Sequence, residues 1–290
     1  MSWATIQKGV PEERMVDPQN PLDRVHDAVR RSQFRDAISA ASAVPATELG
    51  REQLSNLMDA MLSAAAGLSD GSIDELAAYD LVVRLGNRLS RNDVYRPAVE
   101  LRVNCALFNK GVVLAQLGRA EEAIAVYDDL VNRTGGSRQL GLRENAVRAL
   151  FNKGASLSGM HRYEEALAVY DELVGTYSNE TTPVMNEAVG KAMINKGIAL
   201  AELNRLAEAV GVLDEVVKRW SDATDPVLRE RAAKAMLNKA AAMIQLGQDG
   251  VALKVYEAIE TLYGRDKAPN VRKQVAVART RKEALEESLR

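Results

Sequence analysis

Asparagine and lysine stand side by side four times in this chain, as Asn109-Lys110, Asn152-Lys153, Asn195-Lys196 and Asn238-Lys239. An asparagine side chain offers donors and an acceptor arranged like those of a peptide bond. A column of them could hold another polypeptide by its backbone. A lysine adds a point charge on an apolar stem. Side by side on a helix the two form no catalytic constellation, and the other residue types that could complete one are scarce. The chain has two histidines, His26 and His161, and one cysteine, Cys105. His26 has no second ligand at helical spacing, so no zinc site is expected. Cys105 reads as a lone small residue on a helix face. The pairs Glu121-Glu122 and Glu164-Glu165 resemble acid–base dyads. They fall, however, in the first turn of a helical pattern, where negative charge suits the dipole. No glycine-rich phosphate loop, nucleophile elbow or calcium loop is present. The expectation is a non-enzymatic chain with no catalytic residues, no metal and no cofactor.

The elements that carry the pair recur with a fixed beat. Each step between the four asparagines is 43 residues. Ala123, Ala166, Ala209 and Ala252 keep the same step, as do Tyr127, Tyr170, Leu213 and Tyr256. Acids follow these at Asp128, Asp171, Asp214 and Glu257. Prolines at Pro97, Pro183, Pro226 and Pro269 mark helix starts, where the missing N–H is harmless, and Leu140 takes the one place left. Thr182 and Asp225 are suited to cap two of these helices. Gly118, His161, Asn204 and Gly247 occupy the helix end, and these residue types best tolerate positive φ. A second, shorter helix follows each turn, for example from Ala120 and from Tyr163.

Four repeats result, 98–140, 141–183, 184–226 and 227–269, each a hairpin that buries its apolar faces only by stacking on neighbours. Residues 1–21 are expected to be a mobile N-terminal segment. Residues 22–97 read as divergent hairpins forming an N-terminal cap, with QFRDAISAA and LAAYDLV echoing the second helices of the later repeats. Residues 270–290 read as a C-terminal capping helix, carrying Arg281-Lys282 where Asn-Lys would stand.

The runs LFNKG at Leu107–Gly111 and LGRAEEAIAVY at Leu117–Tyr127 resemble the tetratricopeptide repeat. The resemblance covers 98–269, with a period longer than the usual length of about 34 residues. It implies an all-α, right-handed α-solenoid of stacked antiparallel helical hairpins whose first helices line the concave side. It also implies a protein-binding module.

Composition bounds the partners. The chain has 290 residues, with 38 basic and 40 acidic side chains and a net charge of −2. That balance does not favour nucleic acid. A single cysteine leaves no internal disulfide. No stretch has the length or apolarity of a secretory leader or a membrane span. A cytoplasmic protein without membrane or nucleic-acid partners is expected.

Residues three and four apart share a helix face. Each asparagine therefore shares its face with the residue four before it, which is Cys105, Arg148, Lys191 or Lys234. One reading makes Asn109, Asn152, Asn195 and Asn238, with Arg148, Lys191 and Lys234, a seam for an extended protein or peptide segment. The cations would favour an acidic segment or a free C-terminal carboxylate. The other reading has the amides bonding neighbouring helices or water. Sequence leaves the two open. Lys110, Lys153, Lys196 and Lys239 point about 100° away, along the core edge. Asp128, Asp171, Asp214 and Glu257 are their candidate ion-pair partners. A self-associating homo-oligomeric scaffold, or a peptide-responsive regulator, is the alternative function.

Overall fold

The computed structural model describes residues 20–45, 47–69, 71–89, 96–134 and 136–290. All but the last two residues of the N-terminal segment expected to be mobile lie outside these. Among the described residues the chain forms thirteen helices and no strand. It divides into two compact units, 1–117 and 118–290.

The first unit contains α1 (Pro21–Arg30), α2 (Phe34–Ser42), α3 (Arg51–Leu68), α4 (Ile73–Leu89) and α5 (Arg96–Gln116). Local chemistry sets their starts. Asn20 Oδ1 accepts the Leu22 N–H at 2.9 Å, with Pro21 at the first helical position. Gln53 reaches back to accept the Gly50 N–H at 2.9 Å. Helices α1 and α2 pair, α3 and α4 pair, and α5 packs on α4. Leu57, Met58, Met61 and Leu62 of α3 are almost wholly buried and form the heart of this unit. Arg102 of α5 grips Asp59 of α3 through two parallel bonds of 2.6 and 2.8 Å.

The second unit alternates helices of 15 and 20 residues. The short ones are α6 (Ala120–Thr134), α8 (Tyr163–Tyr177), α10 (Leu206–Trp220) and α12 (Asp249–Tyr263). The long ones are α7 (Leu140–Gly159), α9 (Pro183–Glu202), α11 (Pro226–Gln245) and α13 (Pro269–Ser288). Thr182 Oγ1 accepts the Met185 N–H at 3.2 Å, and Asp225 Oδ1 accepts the Val227 N–H at 2.8 Å. Helices α7, α9 and α11 end at residues of positive φ, with His161 and Asn204 at 59° and Gly247 at 72°. Arg162, Arg205 and Gln248 then donate their N–H back to Leu157, Leu200 and Met243 at 2.8–2.9 Å, which closes the turn.

Each long helix packs on the short helices before and after it. Successive long helices also touch, α7 on α9, α9 on α11 and α11 on α13. No short helix touches another among the described residues. A row that closes on one side and spreads on the other curves towards the closed side. The long helices therefore form the concave face of this unit.

Loops are tied down by buried charge. Arg229 donates to Asp266 at 2.7 and 3.4 Å and to the carbonyls of Ala223 and Thr224 at 2.9 and 2.7 Å. In the corresponding place, Arg143 pairs with Glu180. The Arg229 guanidinium, helped by the Ala268 N–H, holds the Asp266 carboxyl below the usual carboxylate range. A carboxyl lowered on folding stabilises the fold above its unfolded value of about 3.9, and that stability is lost as pH falls through the folded value. We expect Arg229→Met to lower stability by about 1.5–3 kcal/mol at neutral pH. Thermal denaturation of both proteins should show the gap narrowing below about pH 4, once Asp266 is protonated in each.

Candidate functional site

The Asn-Lys pairs lie at the junctions between hairpins. Lys153 Nζ stands 2.5 Å from Asp128 Oδ1, and Lys239 Nζ stands 2.5 Å from Asp214 Oδ1. Lys196 pairs with Asp171. In each case the lysine of one long helix meets the acid 25 residues earlier, on the short helix of the preceding hairpin. The beat continues to the far end, where Lys282 lies 3.3 Å from Glu257. The series also has a member that the 43-residue beat does not predict, for in the first unit Lys110 lies 2.5 Å from Asp80. These pairs are a quarter to a half exposed, so each contributes about 0–1 kcal/mol.

The asparagines face the same junctions. Asn152 Nδ2 donates to the Tyr127 hydroxyl at 3.4 Å, and Asn195 Nδ2 donates to the Tyr170 hydroxyl at 3.3 Å. Both bonds are long. Asn109 bonds Tyr79 in the first unit, and Arg281 does the same to Tyr256. Burial raises all these phenols, Tyr127 to about 12 and Tyr170 and Tyr256 in the same direction. Asn152 and Asn195 pull in the opposite sense by donating to the phenolic oxygen. A dipeptide Tyr-Asp thus meets Asn-Lys on the next helix, and at the far end Tyr256-Glu257 meets Arg281-Lys282. Tyr79-Asp80 sits in LAAYDLV, so the signal was present in the sequence. At one junction Leu213 replaces the tyrosine, and Asn238 has no side-chain hydrogen bond recorded among the described residues.

The four asparagines are partly exposed, and helical spacing puts them on the face shared with the cations. Arg148 is exposed. Lys191 lies 2.5 Å from Glu187 and 5.8 Å from the Phe151 ring centre. Lys234 lies 2.7 Å from Glu230. Lys191 and Arg231, with Arg148 nearby, lower the Glu187 carboxyl from its ordinary value. The cations of α9 and α11 are therefore answered within their own helices, whereas Arg148 has no ion pair of its own among the described residues. Beside this row, Ile198 is 42% and Ile244 is 36% exposed. Both are large apolar side chains on long helices.

His161 takes the left-handed turn position and its Nδ1 lies 2.8 Å from the Tyr163 hydroxyl. His26 is half-buried in α1, and burial and Arg30 lower its imidazole pKa. Glu165 and Glu208 bond Arg162 and Arg205 at the hairpin edge. A cleft of about 350 Å³ beside them is lined by Asp171, Lys196 and Glu164, all of which are paired. Among the described residues no group of three or more His, Cys, Asp or Glu is placed to hold a metal ion, and no helix is long and apolar enough to cross a membrane.

A family model described as tetratricopeptide repeat matches residues 93–138, 151–224 and 194–267. Comparison with curated proteins finds no match. Among solved structures, BtubC (BKLC) from P. vanneervenii is 12% identical, with a TM-score of 0.57 covering 84% of this chain and 94% of that one. The apo form of RapI is 12% identical, with a TM-score of 0.53 covering 88% of this chain and 79% of that one. MamA from Desulfovibrio magneticus RS-1 is 16% identical, with a TM-score of 0.47 covering 73% and 97%. At 12% identity the likeness to BtubC and RapI is one of fold.

Proposed function

The chain belongs to the tetratricopeptide repeat family, and from that premise we propose that it is a protein–protein interaction module whose second unit receives a segment of another protein on its concave face. One observation carries this reading. The closed row of long helices presents exposed apolar side chains, Ile198 and Ile244, beside an exposed arginine, Arg148. Exposed apolar surface rimmed by charge marks interaction sites. Arg148 favours a carboxylate on the bound segment, either an acidic side chain or a chain terminus. Lys191 and Lys234 add less, because Glu187 and Glu230 already face them. Asn152 and Asn195 retain a carbonyl oxygen and one amide hydrogen for a peptide backbone, and Asn238 retains its whole amide. Asn109 presents the same group within the first unit.

The test places a photo-crosslinking residue at Ile198, and as a control at the exposed Val251 on α12. Partner adducts should form at Ile198 and fall when Arg148→Glu is added. Equal yields from both positions would end the proposal. The asparagines separate binding from folding. Asn152→Ala should cost about 1 kcal/mol in denaturant melts, since it leaves the buried Tyr127 hydroxyl without the amide, and Asn195→Ala should cost less, since Ser158 still reaches the Tyr170 hydroxyl. Asn238→Ala should leave stability unchanged yet reduce the Ile198 adduct.

A further inference from the structure

Helix α13 buries Val271, Gln274, Val275 and Ala278 against α11 and α12. At 100° per residue the opposite side carries Arg272, Ala276, Thr280, Glu283 and Glu287, with Lys273 at its margin. All six are exposed. Their charge order runs against the helix. Cations stand near the N-terminus and acids near the C-terminus, whereas the macrodipole favours the reverse. No acid occupies the first turn and no base the last. The arrangement therefore weakens the isolated helix slightly and is not accounted for by helix formation.

Nor do intramolecular contacts account for it. Arg279 is answered by Glu260 at 2.8 Å and Lys282 by Glu257 at 3.3 Å. Among the described residues Arg272, Lys273, Glu283 and Glu287 have no such pair. Arg272 stands one 43-residue step beyond Arg229 and three beyond Arg143. Those two arginines each hold a carboxylate, Asp266 and Glu180. In α13 the same position opens instead on a recess of about 420 Å³, lined by Tyr263, Val275, Ala276, Lys273 and Arg279.

We propose that this face is an isologous interface on which a second copy of the chain docks, α13 against α13, antiparallel. A two-fold axis near Thr280 brings the Arg272-Lys273 end of each helix beside the Glu283 and Glu287 end of the other. Two-fold pairing of identical patches is the commonest symmetry of soluble oligomers. The helix is its own electrostatic complement only when reversed. Thr280 at the axis and Ala276 one turn away are small and leave room for the charged side chains to meet across it. Each copy's Glu287 then supplies the carboxylate that Asp266 and Glu180 supply within the chain.

The experiment uses two variants of the full chain, Arg272→Glu/Lys273→Glu and Glu283→Lys/Glu287→Lys. Each makes the stripe one sign, and each moves the helix ends towards what the macrodipole prefers, so folding is retained and is checked by circular dichroism. Sedimentation of the unaltered protein should show a reversible dimer. Either variant alone should weaken it by roughly tenfold or more, and an equimolar mixture should restore association as a heterodimer. High salt should weaken the unaltered dimer. A protein that stays monomeric at every concentration overturns the proposal. So does a dimer indifferent to both variants, or a mixture that fails to associate.

Discussion

Tyr170→Ala should destabilise the second unit by about 3–5 kcal/mol, the cost of removing a fully buried aromatic ring. Tyr170 is 0% exposed and stands where three elements meet. Its ring packs on Gly154 of α7, and its hydroxyl lies 3.4 Å from Ser158 and 3.3 Å from Asn195 of α9. The substitution empties the joint between one hairpin and the next as well as the hairpin's own core. Tyr170→Phe isolates the hydroxyl and should cost only about 1 kcal/mol, because the hydrogen bonds are long and the ring remains. Urea unfolding of the three proteins measures both. A loss for Tyr170→Ala no larger than that for Tyr170→Phe would show that the ring is not the wedge described.

Gly154→Val should cost about 3 kcal/mol, near the upper end for over-packing a core. A Cβ built at Gly154 falls 2.4 Å from the Tyr170 ring, closer than real carbon atoms approach. The ring is fully enclosed and has little room to retreat. The same change at Gly197 should cost less, since its neighbour is Leu213, with a nearest approach of 2.8 Å to a side chain that has more rotamers. The fourth copy of this position is Ala240, itself buried, so one methyl is accommodated there. Denaturation midpoints for the two valine variants, compared at constant slope, give the difference directly.

Much of this fold was legible because its determinants are local and repeated. The 43-residue step, the Thr182 and Asp225 caps and the turn residues His161, Asn204 and Gly247 each act within a few positions of themselves. The asparagine was harder to read. Its face can be derived from helical geometry, which placed it with Arg148, Lys191 and Lys234. Its partner is 25 residues away on another hairpin, a tertiary fact with no local trace. Periodicity did hold a clue, since Tyr127 and Tyr170 share the beat of Asn152 and Asn195. The first-unit clip escaped the period altogether. Tyr79-Asp80 and Asn109-Lys110 are separated by 30 residues instead of 25, chiefly because α4 runs further past its tyrosine, to Leu89, than α6 runs past Tyr127, to Thr134. The opposed charges of α13 are a further case, for a sequence shows which residues are charged but not which are left unanswered.

Among the described residues the short helices of the second unit are linked only at their ends, through Arg162 on Glu121, Arg205 on Glu164, Arg219 on the Ser178 carbonyl and Tyr263 on the Ser221 carbonyl. Duplicating or deleting a whole hairpin therefore refits a few polar clips at the rim and leaves the rest of the outer row unaltered. Substitutions on the outward flanks of α8, α10 and α12, away from those clips, are felt by a single repeat. The array can change its length in steps while most of its outer surface drifts independently.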